Sequence, residues 1–142
     1  MWSEGKKMNE STKAPRLLLG SCPDSWGVWF ADDLLQTPWS RFLDEISEVG
    51  YEWLELGPYG YLPTDPKQLS DELARRNLKV AGGTMYGHSG LHRPHEFKTI
   101  AEVTRKVSKL TSAVGANHVI FVPVPGYRND KTGEYLAPPQ LD

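Results

Sequence analysis

The side chains able to do chemistry are few, and they gather just after short apolar runs. Glu55 stands near the end of the run Tyr51-Glu-Trp-Leu-Glu-Leu56. Read as a strand, the run alternates, so Glu55 shares a face with Trp53 and lies toward the carboxyl end. A carboxylate there could accept a hydrogen bond from a sugar hydroxyl or carry a proton; the competing role is an ion pair with a basic side chain of a neighbouring strand. His88 lies in Met85-Tyr-Gly-His-Ser-Gly90, where flanking glycines allow close approach to a ligand. His92 and His95 follow at spacings of four and three. Pro94 breaks any helix between them, so they read as exposed loop and helix-start residues, not a metal pair. His118 opens a strand and belongs to its far end.

Aromatic residues cluster in the same places. Trp26, Trp29 and Phe30 follow the first apolar run, and Tyr59 and Tyr61 follow the second. Rings of this kind suit the apolar faces of a sugar, although long loops also bury aromatics to pack themselves. Trp26, between Ser25 and Gly27, is the preferred pocket residue, with Tyr59 beside it. Cys22 has no basic neighbour in its loop and reads as a small hydrophobe; Asp24 reads as a turn residue.

These residues need elements to hold them. Arg16-Leu-Leu-Leu-Gly20 predicts a buried strand. Thr37-Pro38 predicts a helix N-cap followed by proline at the first helical position, with the stripe Trp39, Phe42, Leu43, Ile46 and Val49 ending at Gly50. Residues 51–56 predict a second strand, and Asp65-Pro66 a second cap and a helix to about Asn77. Residues 78–84 predict a third strand weakened by glycines, with a loop from Met85 to Pro94. The stripe Ile100, Val103, Val107, Leu110 and Val114 predicts a helix stopped by Gly115, and His118 to Val122 a β-branched fourth strand. Residues 1–15 read as a loose tail and 123–142 as a further loop.

The order β-α-β-α-β-α-β fits right-handed parallel crossovers. Long loops follow the strands while helix-to-strand connections are short, which gathers function on the carboxyl-terminal face. The loop Ser21-Cys-Pro-Asp-Ser-Trp-Gly27 is no phosphate-cradling glycine loop, which favours a barrel over a doubly wound sheet. The expected class is α/β, with parallel (β/α) units over residues 16–142 making the first half of a TIM barrel: about four strands and three helices. A net charge of −2 with scattered basic residues and a 39% hydrophobic content speaks against nucleic-acid or membrane partners. A single cysteine allows no internal disulfide, which fits a cytoplasmic protein.

Pro23-Asp-Ser-Trp-Gly-Val-Trp-Phe30, Gln36-Thr-Pro-Trp39 and Gly50-Tyr-Glu-Trp-Leu-Glu-Leu-Gly-Pro-Tyr-Gly-Tyr-Leu-Pro63 resemble the amino-terminal region of the xylose isomerase-like barrel proteins. They look most like sugar phosphate isomerases/epimerases and next like inosose dehydratases. The resemblance implies metal-assisted proton transfer next to a carbonyl on a small sugar. It also implies a divalent ion (Mn, Mg, Zn or Co) held by two glutamates, an aspartate and a histidine of later strands, so no metal ligand is assigned here. The catalytic candidate is Glu55, and the substrate-binding candidates are Trp26, Tyr59 and His88. Most of the machinery is expected beyond Asp142, and the chain alone is expected to be inactive. The alternatives are a dehydratase-type lyase and a non-catalytic half-barrel whose open edges favour a homo-oligomer.

Overall fold

The computed structural model describes residues 17–87, 95 and 97–123. The expected tail at 1–15, His88, His92 and the loop past Pro123 lie outside these residues.

Four parallel strands stand in the order β1-β2-β3-β4. They are β1 (Gly20–Ser21), β2 (Trp53–Glu55), β3 (Lys79–Gly87) and β4 (Val119–Pro123), alternating with α1 (Trp39–Glu48), α2 (Pro66–Arg75) and α3 (Phe97–Ala113). Sequential order in a parallel sheet, with a helix in each crossover, is the curling sheet of a (β/α) barrel rather than a doubly wound sheet, whose order reverses at a switch point.

Helices α1 and α3 lie where their stripes dictate. In α1, Phe42, Leu43 and Ile46 are wholly buried and belong to one core cluster with Leu54, Leu56 and Val80 of the strand region, Leu69 and Leu73 of α2, and Leu110 of α3. Val49 leaves the predicted stripe: it is 66% exposed, because it is the C-cap where the helix unwinds into Gly50 at φ 90°. The start of α1 also differs. Pro38 is the N-cap, and Thr37 spends its hydroxyl on the Trp26 carbonyl at 3.3 Å. The Asp65 cap forms as read, accepting from the Gln68 N–H at 2.7 Å, but α2 stops at Arg75 and Asn77 turns out at φ 55°.

Two strand readings are corrected. Strand β1 is only the pair Gly20–Ser21, and Leu17, Leu18 and Leu19 before it are 80, 53 and 57% exposed. An apolar run is buried only when something lies beside it, and among the described residues β1 is an end strand with β2 on one side. Conversely, β3 continues through Met85–Gly87, which the sequence assigned to a loop. These residues pair with Phe121–Pro123, a long-range partnership that supplies what the local glycine-rich sequence does not.

Helix α3 packs closely on β3 at Gly83. A Cβ there would run into the Thr111 hydroxyl and the Val107 methyl. On the opposite, open face of the sheet stand Trp53 and Glu55 of β2, Thr84 of β3 and Ile120 of β4, in the register that pairs Trp53 with Lys79 and Thr84 with Ile120.

Candidate functional site at the carboxyl ends of the strands

The first loop reaches the sheet's upper rim through a short 3-10 helix, Pro23–Trp26, ended by Gly27 at φ 77°. Gly57 in the second loop lies so close to Pro23 that a Cβ would come within 2.6 Å of its ring. The two loops are thereby fixed against each other over the ends of β1 and β2.

Glu55 projects from the end of β2 onto the open face. Its Oε2 accepts a hydrogen bond from the Thr84 hydroxyl at 3.1 Å, and Thr84 is 4% exposed. Among the described residues the competing role, an ion pair to a neighbouring strand, is absent from the geometry; its partner is a neutral hydroxyl. Cys22, half-buried beside the same rim, is close enough for the charge of Glu55 to act on it. Its thiol is pushed up to about 11, first by burial, then by Asp24, so it stands as a neutral thiol at physiological pH. Neither Thr84 nor Cys22 was assigned a site role from sequence. The signal for Thr84 existed only as a polar residue among glycines in a strand, and the register needed to aim it is not written locally.

The aromatic candidates separate into two groups. Trp26 donates its indole N–H to Glu45 at 2.8 Å and stands edge-on to Phe42 with ring centres 5.0 Å apart. The Arg41 guanidinium, and after it this indole, hold the Glu45 carboxyl below the usual carboxylate range. Tyr61 is buried and donates to the Thr37 carbonyl at 2.9 Å. Trp26 thus pins the first loop to α1, and Tyr61 ties the second loop to the first. Tyr59 instead is 39% exposed, and with Trp29, Phe30, Pro58, Thr84 and Lys106 it lines an open hollow of about 300 Å³, at the lower end of small-molecule sites. Met85 and, from α3, Val103 and Val107 line it as well, so this hollow lies on the α3 side of β3, whereas Glu55 stands on the open face. His95 is exposed, and His118 lies at the amino ends of the strands, where its carbonyl accepts from Gly83 N–H at 3.0 Å.

No protein-family model matches the sequence, and no curated protein does. Solved structures do. A xylose isomerase domain protein from Alicyclobacillus acidocaldarius superposes with a TM-score of 0.52 at 17% identity, over 72% of this chain and 35% of that one. The chain carries part of a xylose isomerase-like barrel fold. A probable 3-DHS dehydratase, AsbF, involved in petrobactin synthesis in Bacillus anthracis, superposes with a TM-score of 0.50 at 15% identity, over 79% of this chain and 39% of that one. The chain thus spans little more than a third of the length of these two solved chains. The fold expected from the resemblance is the fold found.

Among the described residues no three His, Cys, Asp or Glu side chains stand close enough to hold a metal ion. No helix among them is long and apolar enough to cross a membrane.

Proposed function

We propose that this chain belongs to a sugar or sugar-phosphate isomerase/epimerase and supplies one side of its substrate site, with Glu55 as the proton-transfer group. The observation that carries this reading is a carboxylate at the carboxyl end of a barrel strand, on the open face, held by a buried hydroxyl and with no cation paired to it in the described structure. In (β/α) barrels that end is where chemistry gathers.

Glu55 would take the proton from the carbon next to the substrate carbonyl. The C–H pair then becomes the C=C bond of an enediol(ate) while the carbonyl oxygen gains the charge. Return of the proton to the former carbonyl carbon, with the hydroxyl proton passing between the two enediol oxygens, isomerises the sugar, and protonation of the original carbon on the opposite face by a second acid epimerises it. Tyr59 offers a ring face to the sugar's apolar side. Trp26, a pocket candidate by its position, contributes through the loop it anchors. His88, the next residue in the sequence after β3, is the remaining candidate for a substrate hydroxyl. A divalent ion, if supplied by residues outside those described, would polarise the carbonyl oxygen. A cytoplasmic site of action goes with the single free thiol.

The dehydratase reading has one specific support, the likeness to a protein named as a dehydratase. It begins with the same proton abstraction and diverges by expelling hydroxide from the β-carbon. Incubation with aldoses, ketoses, their phosphates and an inosose in D2O with Mn²⁺ or Mg²⁺, followed by proton NMR, separates the readings. Deuterium at the carbon next to the carbonyl, lost by about 100-fold or more in Glu55→Gln, supports isomerisation. An enone product supports the lyase. The incubation uses the protein with a complete barrel, because this chain supplies only one side of the site; absence of exchange with every sugar there overturns the enzymatic reading and leaves ligand binding.

A further inference from the structure

We propose that Thr84 is the positioning residue of Glu55, and that an irregularity in β3 puts it there. The inference rests on Glu55 being the group that matters at this site. Along the β2–β3 ladder Leu54 pairs with Val80, but Glu55 pairs with Gly82, so Ala81 is an extra residue in β3. Side chains alternate across a strand, and a one-residue insertion exchanges the faces of everything beyond it.

The consequence can be followed residue by residue. Without the insertion Glu55 would oppose Ala81, Gly83 would share its face, and Thr84 would point at the helices. With it, Gly83 turns to the helix side and meets Val107 and Thr111 of α3. Thr84 turns to the open side and donates to Glu55 Oε2 at 3.1 Å. The two consecutive glycines belong to the same device. Gly83 lets α3 come close, and Gly82, opposite Glu55, has its Cβ position 3.1 Å from the His118 carbonyl and 3.3 Å from Ile120 Cδ1. Two glycines weaken an isolated strand, so their presence at this point is explained by the geometry they permit.

A proton-transfer carboxylate must stay within a fraction of an ångström of its working position. A glutamate on a strand end has three rotatable bonds. One donor that is itself 4% exposed and carried on a paired strand restricts it without neutralising it.

The test reads the position of Glu55 directly and needs no substrate. Three-bond NMR couplings in the chain give the χ1 populations of Glu55 in the parent, Thr84→Val and Thr84→Ser. The expected result is one dominant rotamer in the parent and in Thr84→Ser, and averaging over staggered wells in Thr84→Val. Thr84→Ala, which loses the methyl group as well, should show the same averaging and serves if the valine variant does not fold. A purely structural Thr84 would lower the unfolding midpoint and leave the Glu55 couplings unchanged. That result, or averaged couplings in the parent, overturns the proposal. If the couplings respond as expected while no sugar exchanges deuterium, the reading of function fails and the positioning role stands.

Discussion

At the scale of single residues, environment decides what each reactive type can do. Glu55 and Cys22 share a rim, yet one meets a donor hydroxyl and the other meets burial and a carboxylate. Burial favours the uncharged thiol, so the stabilisation it brings is complete below the ordinary value of 9.0 and is lost as pH rises through about 11. We expect iodoacetamide to alkylate Cys22 much more slowly in the folded chain than in urea at pH 8. The folded rate should climb only toward pH 11, and Asp24→Asn should move that rise to lower pH. Equal rates in both states at pH 8 would contradict the thiol's surroundings. The residue types at the site were legible in the sequence: Glu55 stands at the strand end and on the face that the alternation gave it, and Tyr59 lies in the loop that follows. Trp26 shows what was not. Its position between Ser25 and Gly27 marks an aromatic at the rim, but only the folded chain shows its indole turned to Glu45 and its ring against Phe42.

Among the elements, β3 is the one whose behaviour depends most on its neighbours. Val80 packs into the core on one side of the extra residue and Gly83 against α3 on the other, so the insertion is held from both ends. Gly83→Ala should cost roughly 1–3 kcal/mol by forcing α3 away. Thr111 is 1% exposed and its hydroxyl has no partner among the described residues. Replacing it with valine removes an unpaired polar atom, so Thr111→Val should be neutral or stabilising by about 1 kcal/mol. Thr111→Ala, smaller at that contact, should recover part of the Gly83→Ala loss. Urea unfolding of the three single variants and the Gly83→Ala/Thr111→Ala pair measures this, and additive losses in the pair would show that the two residues do not meet. Between α1 and α2, Arg76 bonds Asp44 and Glu72, both at 2.6 Å, while Ser47 donates to the Arg76 carbonyl at 2.9 Å. This places the two helices side by side beneath the loops.

For the whole molecule, the decisive feature is that the sheet formed by the described residues has two ends. Leu17, Leu18 and Leu19 are exposed beside the end strand β1, and an uncovered edge with apolar side chains pairs readily with another chain. We expect the chain to self-associate at micromolar concentration in sedimentation velocity, and Leu17→Lys with Leu19→Lys to shift it toward monomer. A parent chain that sediments as a monomer would show that this edge is protected.

The sequence by itself determined the order of the elements, the buried faces of α1 and α3 and the strand end at which Glu55 stands. Those properties follow from local periodicity, caps and turns, each written within a few neighbouring residues. The tertiary structure alone decided that β1 is short and bare, that β3 runs on to Gly87, and that an extra residue at Ala81 turns Thr84 toward Glu55. Strand ends and register are set by hydrogen bonds to strands far away in the chain and by how closely a helix can approach, and neither quantity exists until the chain has folded.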